Sequence, residues 1–302
     1  MPSACPLPYP CTGRLDTMPK IGGFEEPEIL SSEGSWQITG KINGMVNIKL
    51  EPGEACCGEV GSMEYFQEGV KMDTKLSGKG IFAAASSWAS GESPFRMVFT
   101  NESPDTTLYV GLTPNQPLGN IIPVKLTEHT GNIVNAKLGA YMGSMGKDIK
   151  TTVDFKRPSC ASCCACICGG PSPMIQRIST ANEAEDTAFL TAMGTIVKRR
   201  IAAGEKIKVD TDALVAYEDS IQFDATRTGD CSPKGCCLVC CGGEGLWLTT
   251  LTGKDDTDGG FVWLQSYNMD KLDSLLVTER QENEGGDGAS GGAPIEASEM
   301  ER

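Results

Sequence analysis

Three stretches decide the reading of this chain: GMVNIKLEPGEACCGEVGSMEYF from Gly44 to Phe66, GNIIPVKLTEHTGNIVNAKLGAYMG from Gly119 to Gly143, and GTIVKRRIAAGEKIKVDTDALVAYE from Gly194 to Glu218. Each opens with glycine and a run in which apolar residues alternate with others. Each then turns at a polar hairpin and returns as a second strand. Each reaches a small-apolar-aromatic step: Gly61-Ser62-Met63, Gly139-Ala140-Tyr141 and Ala213-Leu214-Val215. The opening glycines are 75 residues apart both times. A fixed period of this kind marks an internal repeat whose units share a core, because one unit alone would leave an apolar face open. The expectation is an all-β body of three pseudo-repeats in a pseudo-threefold arrangement of sandwiches or barrels.

The rest of the chain agrees with that pattern. Val46, Ile48 and Leu50 alternate, as do Phe95, Met97 and Phe99, then Ile207 and Val209, then Leu246 and Leu248. A period of two is the mark of half-buried strands. Gly, Asn, Asp and Pro separate the runs at 52–54, 113–119, 203–205 and 252–260, where turn chemistry belongs. The one short helix expected runs from Met269 to Leu276. A Pro-rich irregular leader (1–30), a body (31–277, with pseudo-repeats near 31–112, 113–192 and 193–277) and an acidic Gly-rich flexible tail (278–302) complete the division.

Composition bounds the function. The 302 residues carry a net charge of −14, of which the tail contributes −5. Such a chain repels a phosphate backbone unless one face is strongly basic, and Lys198, Arg199 and Arg200 form its only sharp basic cluster. Nucleic acid is therefore not an expected partner. There is one histidine, His129, in the hairpin TEHTGN, read as a solvated turn residue. A hydrolase would lack both a base and a nucleophile motif, since Gly143-Ser144-Met145-Gly146 has no strand–elbow–helix context. Asn101-Glu102-Ser103 is a sequon followed by Pro104. The Gly-Glu pairs at 53–54, 91–92, 204–205 and 243–244 read as hairpin turns with solvated carboxylates, and 255–260 as a hairpin tip. The start of the chain has neither the pattern of a secretory signal nor that of a mitochondrial presequence, so its 14 cysteines are expected in a reducing, cytoplasmic compartment.

The chain resembles the family of altered inheritance of mitochondria protein 24. The resemblance rests on LEPGEACCGEVGSMEY, on GTIVKRRIAAGEKIKVDTDALVAYEDSI and on the closing GGEGLWLTTLTGKDDTDGGFVWLQS, and spans about Trp36 to Ser266. It implies three tandem modules of the TRAP-like β fold, no established catalytic activity, and, for eukaryotic members, a link to mitochondrial membrane organisation. Two Cys-dense loops stand outside it.

Those loops are CASCCACICGG (Cys160 to Gly170) and CSPKGCCLVCCGG (Cys231 to Gly243). Shifted by 73 residues they superimpose, Cys163 on Cys236, Cys164 on Cys237 and Cys168 on Cys241. Both are read as preceding the third-strand region of their repeat. The matching place in the first repeat holds Ile81, Phe82 and Trp88. Three chemistries compete. Membrane docking would use S-acylation of Cys163, Cys164, Cys166, Cys168, Cys236, Cys237, Cys240 and Cys241 beside Ile81, Phe82 and Trp88, since two acyl chains anchor where one binds marginally. A zinc site would use the Cys-x2-Cys pairs Cys160/Cys163 and Cys237/Cys240. Packing of the thiols as small hydrophobes is the third. Cys56 and Cys57 are expected to alternate, one inward and one outward. The reading favoured is a non-enzymatic scaffold or adaptor on a membrane surface, without cofactor, with unidentified protein partners and a monomeric or small homo-oligomeric state. A zinc or redox module is the alternative.

Overall fold

The structure, a computed structural model, describes residues 21–26, 32–76, 93, 95–155, 174–182, 186–228, 247–269 and 271–273. Within them the chain is built of strands and short turns. A hairpin of β1 (Ser32–Glu33) and β2 (Trp36–Thr39) leads in. Six strands follow: β3 (Met45–Leu50), β4 (Ala55–Glu59), β5 (Met63–Phe66), β6 (Val70–Leu76), β7 (Phe95–Asn101) and β8 (Leu108–Leu112). Six more are β9 (Gly119–Lys125), β10 (Ile133–Ala136), β11 (Tyr141–Met145), β12 (Lys150–Phe155), β13 (Met174–Ser179) and β14 (Thr187–Met193). The last six are β15 (Ile196–Ile201), β16 (Lys206–Val209), β17 (Leu214–Glu218), β18 (Ile221–Arg227), β19 (Trp247–Gly253) and β20 (Gly260–Gln265).

The pairing explains the repeat. All neighbours are antiparallel, and within each six strands the first, sixth and third lie together (β3-β8-β5, β9-β14-β11, β15-β20-β17). So do the fourth, fifth and second (β6-β7-β4, β12-β13-β10, β18-β19-β16). Each third strand carries a β-bulge at the same place, after Met63, Tyr141 and Leu214, which face Leu112, Leu190 and Leu264. Bulges re-aim a strand, and here they mark the equivalent positions of the three units. By this register the third small-apolar-aromatic step is Asp212-Ala213-Leu214, one residue before the triplet read from the sequence. Val46, Ile122 and Val197 are likewise equivalent, so Gly44 stands one residue out of step with Gly119 and Gly194.

Adjacent units join edge to edge. β4 pairs with β11 (Gly58↔Gly143, Cys57↔Ser144, Cys56↔Met145). In the same way β10 pairs with β17 (Ala136↔Ala216, Asn135↔Tyr217, Val134↔Glu218). The two seams thus bind the second strand of one unit to the third strand of the next in one register. Gly143 fits the first seam because a Cβ there would stand 2.7 Å from the Cys57 carbonyl.

The cores straddle these seams. One cluster takes Trp36, Val46, Ile48, Leu50, Phe99, Val110 and Leu112 from the first unit and Ile121, Met142 and Phe189 from the second. Another joins residues of the second unit to Ile196, Val215, Ala216 and Trp263 of the third. β14 is therefore buried along its whole length, on both faces.

Several local expectations change. Cys56 and Cys57 are both buried, because β4 lies inside a six-stranded sheet with cores on either side. In β7, Phe99 is buried with Met97 packed against the same core, while Phe95 at the strand's start is half exposed; Arg96 is buried too, its guanidinium 4.3 Å from the Tyr141 ring centre and donating to the Ile149 carbonyl at 3.3 Å. In β19 the inward residues are Thr249 and Leu251, with Leu248 half-buried, while Leu246 lies outside the described residues. Asn101 is buried, its amide donating to the carbonyls of Leu50 and Thr106, so this sequon offers no accessible nitrogen. A helical turn does begin at Met269, where Asn268 Oδ1 accepts from Lys271 N at 2.9 Å. Residues 270 and 274–276 of the expected helix, most of the leader and the whole tail lie outside the described residues.

Candidate functional site

The Cys-rich loops take their place from the strands on either side. Residues 77–94, 156–173 and 228–246 each connect the fourth and fifth strands of a unit, and not the approach to a third strand as first read. The paired positions at the three mouths are Leu76↔Phe95, Phe155↔Met174 and Arg227↔Trp247, which are equivalent in register. Cys160, Cys163, Cys164, Cys166, Cys168, Cys236, Cys237, Cys240 and Cys241, with Ile81, Phe82 and Trp88, lie on these connections outside the described residues. Among the described residues no three metal-ligating side chains converge.

The mouth of the first hairpin is apolar. Leu76 and Phe95 are about half exposed (49% and 48%), and Val60, in the turn after β4, is similarly open. Glu59 pairs with Arg96, which places Val60 at the same end as Phe95. The 113–118 connection is held there by Asn115, whose amide donates to the Val60 carbonyl at 3.1 Å, and by Thr113 N donating to Ser62 O at 2.7 Å. It brings exposed Leu118, and Asn43 N donates to Gly119 O beside exposed Ile42. Val60, Leu76 and Phe95 therefore share one end of β4, β6 and β7, where singly scattered apolar side chains would need no explanation, and Ile42 and Leu118 stand beside the start of β9, the opposite edge strand of the same sheet.

The sequence missed the second arrangement. His129 is buried, and its Nδ1 lies 2.6 Å from Glu218 Oε1 across the seam between the second and third units. Ser220 Oγ donates to the other carboxylate oxygen at 3.4 Å. The imidazole meets Trp263 edge-on, 5.4 Å between centres. Lys198 Nζ lies 4.0 Å from the centre of Phe261 and 5.0 Å from that of Trp263. Burial lowers the Lys198 pKa, and the nearby carboxylates of Glu218 and Glu128 act against that shift. Gly260 is required beside the pair, since a Cβ there would stand 2.2 Å from Ser220 Oγ. The serine serves the carboxylate and not the imidazole, so this is no nucleophile–base relay; it staples two units together. The basic run beside it is also consumed. Arg199 pairs with Glu205 and lies over Phe24, and Arg200 lies near Phe261 and donates to the Asp258 carbonyl. Glu205 is thus engaged and not simply solvated, whereas Glu54 remains exposed and caps its own turn through Glu51 N.

Burial pushes the Cys56 thiol pKa well up, with a further rise from Cys57. Thiolate is the reactive form, so Cys56 is expected to stay unlabelled by iodoacetamide in the native protein and to react in denaturant. Peptide mass spectrometry checks this; native labelling at the rate of a free thiol would contradict the packing.

No helix among the described residues is long and apolar enough to cross a membrane. Among solved structures, the chain is similar to the crystal structure of a protein from Streptococcus pyogenes, with a TM-score of 0.58 and 22% identity, over 81% of this chain and 98% of that one. That likeness concerns the fold. A curated relative, an uncharacterized protein of Streptococcus pyogenes serotype M6, is 26% identical over 239 residues, 77% of this chain and 85% of its own length. The family profile described as mitochondrial biogenesis AIM24 matches residues 36–267, from the tryptophan of β2 to just past β20, and the chain belongs to that family.

Proposed function

We propose that this protein is a non-enzymatic scaffold or adaptor that docks on a membrane surface, built of three TRAP-like modules joined in tandem. The observation that carries the reading is the apolar mouth of the β6–β7 hairpin, where Leu76 and Phe95 stand exposed with Val60 at the same end. The segment beyond that mouth adds Ile81, Phe82 and Trp88. The equivalent hairpins of the other two units lead into the cysteine-dense segments. Both seams repeat one register, which favours related placement of successive hairpins and supports a shared docking face. Apolar side chains and acylated thiols would supply affinity, two acyl chains giving stable attachment where one gives marginal binding. A tryptophan suits the interfacial zone. The rigid β-body would then turn its acidic surface toward protein partners. The family description points to mitochondria as one membrane to examine.

Fractionation tests this. The protein is expected in the membrane fraction, with hydroxylamine releasing thioester-linked lipid and shifting it toward the soluble fraction. The double variant Leu76→Ser/Phe95→Ser is expected to weaken co-sedimentation of the purified protein with vesicles about tenfold, from the apolar area removed. A wild-type protein that stays soluble and carries no lipid would end the proposal.

A further inference from the structure

The seams inside the chain leave their two halves open at its ends. Each seam joins a second strand to the third strand of the following unit, β4 to β11 and β10 to β17. The remaining second strand is β16 and the remaining third strand is β5, and among the described residues each is the edge of its sheet. Burial follows the pairing. β11 is buried at all but its last residue and β17 is buried throughout. In the equivalent β5, Glu64, Tyr65 and Phe66 are all exposed. β10 is buried at three of four residues, whereas β16 exposes Lys206 and Lys208. Tyr65 and Phe66 are each 37% exposed while also packing on their own sheet, against Gly111 and Phe99, and partly open aromatic residues on an unpaired strand edge are a template for another strand.

We propose that β16 of one molecule pairs with β5 of a second copy of this chain, continuing head to tail the seam used twice within it. The occupant follows from continuity with an interface the chain already builds. Carrying the seam register across, Val209 falls opposite Tyr65, Lys208 opposite Phe66 and Ile207 opposite Gln67, and the next step sets Lys206 beside Glu68. The charges agree: β16 presents Lys206 and Lys208, while Glu64 and Glu68 lie on and beside β5. Two copies of β16 would repel each other, so the lysines direct the edge toward the acidic one. The backbone is also suitably aimed. In the second seam Lys137 N donates to Val215 O, so by the period of two the Asn135 amide faces the same way. The amide of Lys208, the counterpart of Asn135, then faces the open edge. The contact is heterologous, so it yields a closed ring or an open filament according to the rotation per copy.

Sedimentation equilibrium of the full chain in reducing buffer tests the proposal. Reversible association into whole multiples of the chain is expected. Lys208→Pro removes an amide hydrogen that the chain's own sheet does not use. It is expected to lower the association constant about tenfold or more, the equivalent of about 1.4 kcal/mol, with an unchanged circular dichroism spectrum. Lys206→Glu is expected to weaken association and Lys206→Glu/Glu68→Lys to restore it. That rescue decides the matter if the proline variant does not fold. A wild-type protein that is monomeric at every accessible concentration overturns the proposal. So does association unaffected by all three variants, or hydrogen-exchange protection of β5 and β16 in a monomer, which would mean that the chain closes on itself.

Discussion

Phe189→Ala is expected to lower stability by about 3–5 kcal/mol, a large part of the roughly 5–15 kcal/mol that holds a domain of ordinary stability. Phe189 belongs to the second unit by sequence, yet it is fully buried among residues of the first. Its ring meets Trp36 edge-on with centres 5.4 Å apart, a geometry that adds about 0.5–1.5 kcal/mol to burial itself. The neighbours that would have to collapse into the space belong to strands pinned by two sheets, so little of the cavity can close. Urea unfolding followed by fluorescence and circular dichroism should show one transition whose midpoint falls while its slope stays constant. If the mutation instead splits the curve, with the second and third units melting apart from the first, the shared core does not couple them as described.

His129→Leu is the second large effect, expected to cost about 3–5 kcal/mol. The substitution leaves the Glu218 carboxylate buried with only the weak donation from Ser220 Oγ, while Gly260 and Trp263 close off water. The penalty comes from stranding a buried acid, so removing both partners should recover much of it. His129→Leu/Glu218→Leu is expected to be more stable than His129→Leu alone. A double-mutant cycle in urea measures that coupling. A single variant within about 0.5 kcal/mol of the wild type would show that the pair contributes no staple between the units.

Much of the scaffold could be read before any coordinates. Val46, Ile48 and Leu50 do alternate inward, the turns at 52–54 and 203–205 fall between strands, and of 252–260 the residues 254–259 do. The repeat was visible because its turns and strands recur at nearly equal spacing. What the pattern hid depends on contacts across the seams. His129 looked like a turn residue because Glu218 lies far along the chain and in another unit. Cys56 and Cys57 looked like an alternating pair because nothing local says that β4 is covered on both sides. β14 reads TAFLTAM, with no alternation at all, because a strand walled by two cores has no outer face. The bulge after Tyr141 is equally silent, since it answers to Leu190 on a later strand. As for the candidate site, the sequence located the three hairpin connections but set them two strands too early. Exposed Val60, Leu76 and Phe95 come from separate turns that only the folded chain brings to one end.

The seam-straddling core also bears on how the protein is made. A nascent chain that has reached Leu112 holds every strand of its first unit but lacks Ile121, Met142 and Phe189, which finish that unit's interior. At roughly 5–20 residues per second, the missing pieces arrive on the order of ten seconds later. During that interval a greasy, half-built sandwich must be shielded, so this protein is expected to depend on holding chaperones during translation far more than its finished form would suggest.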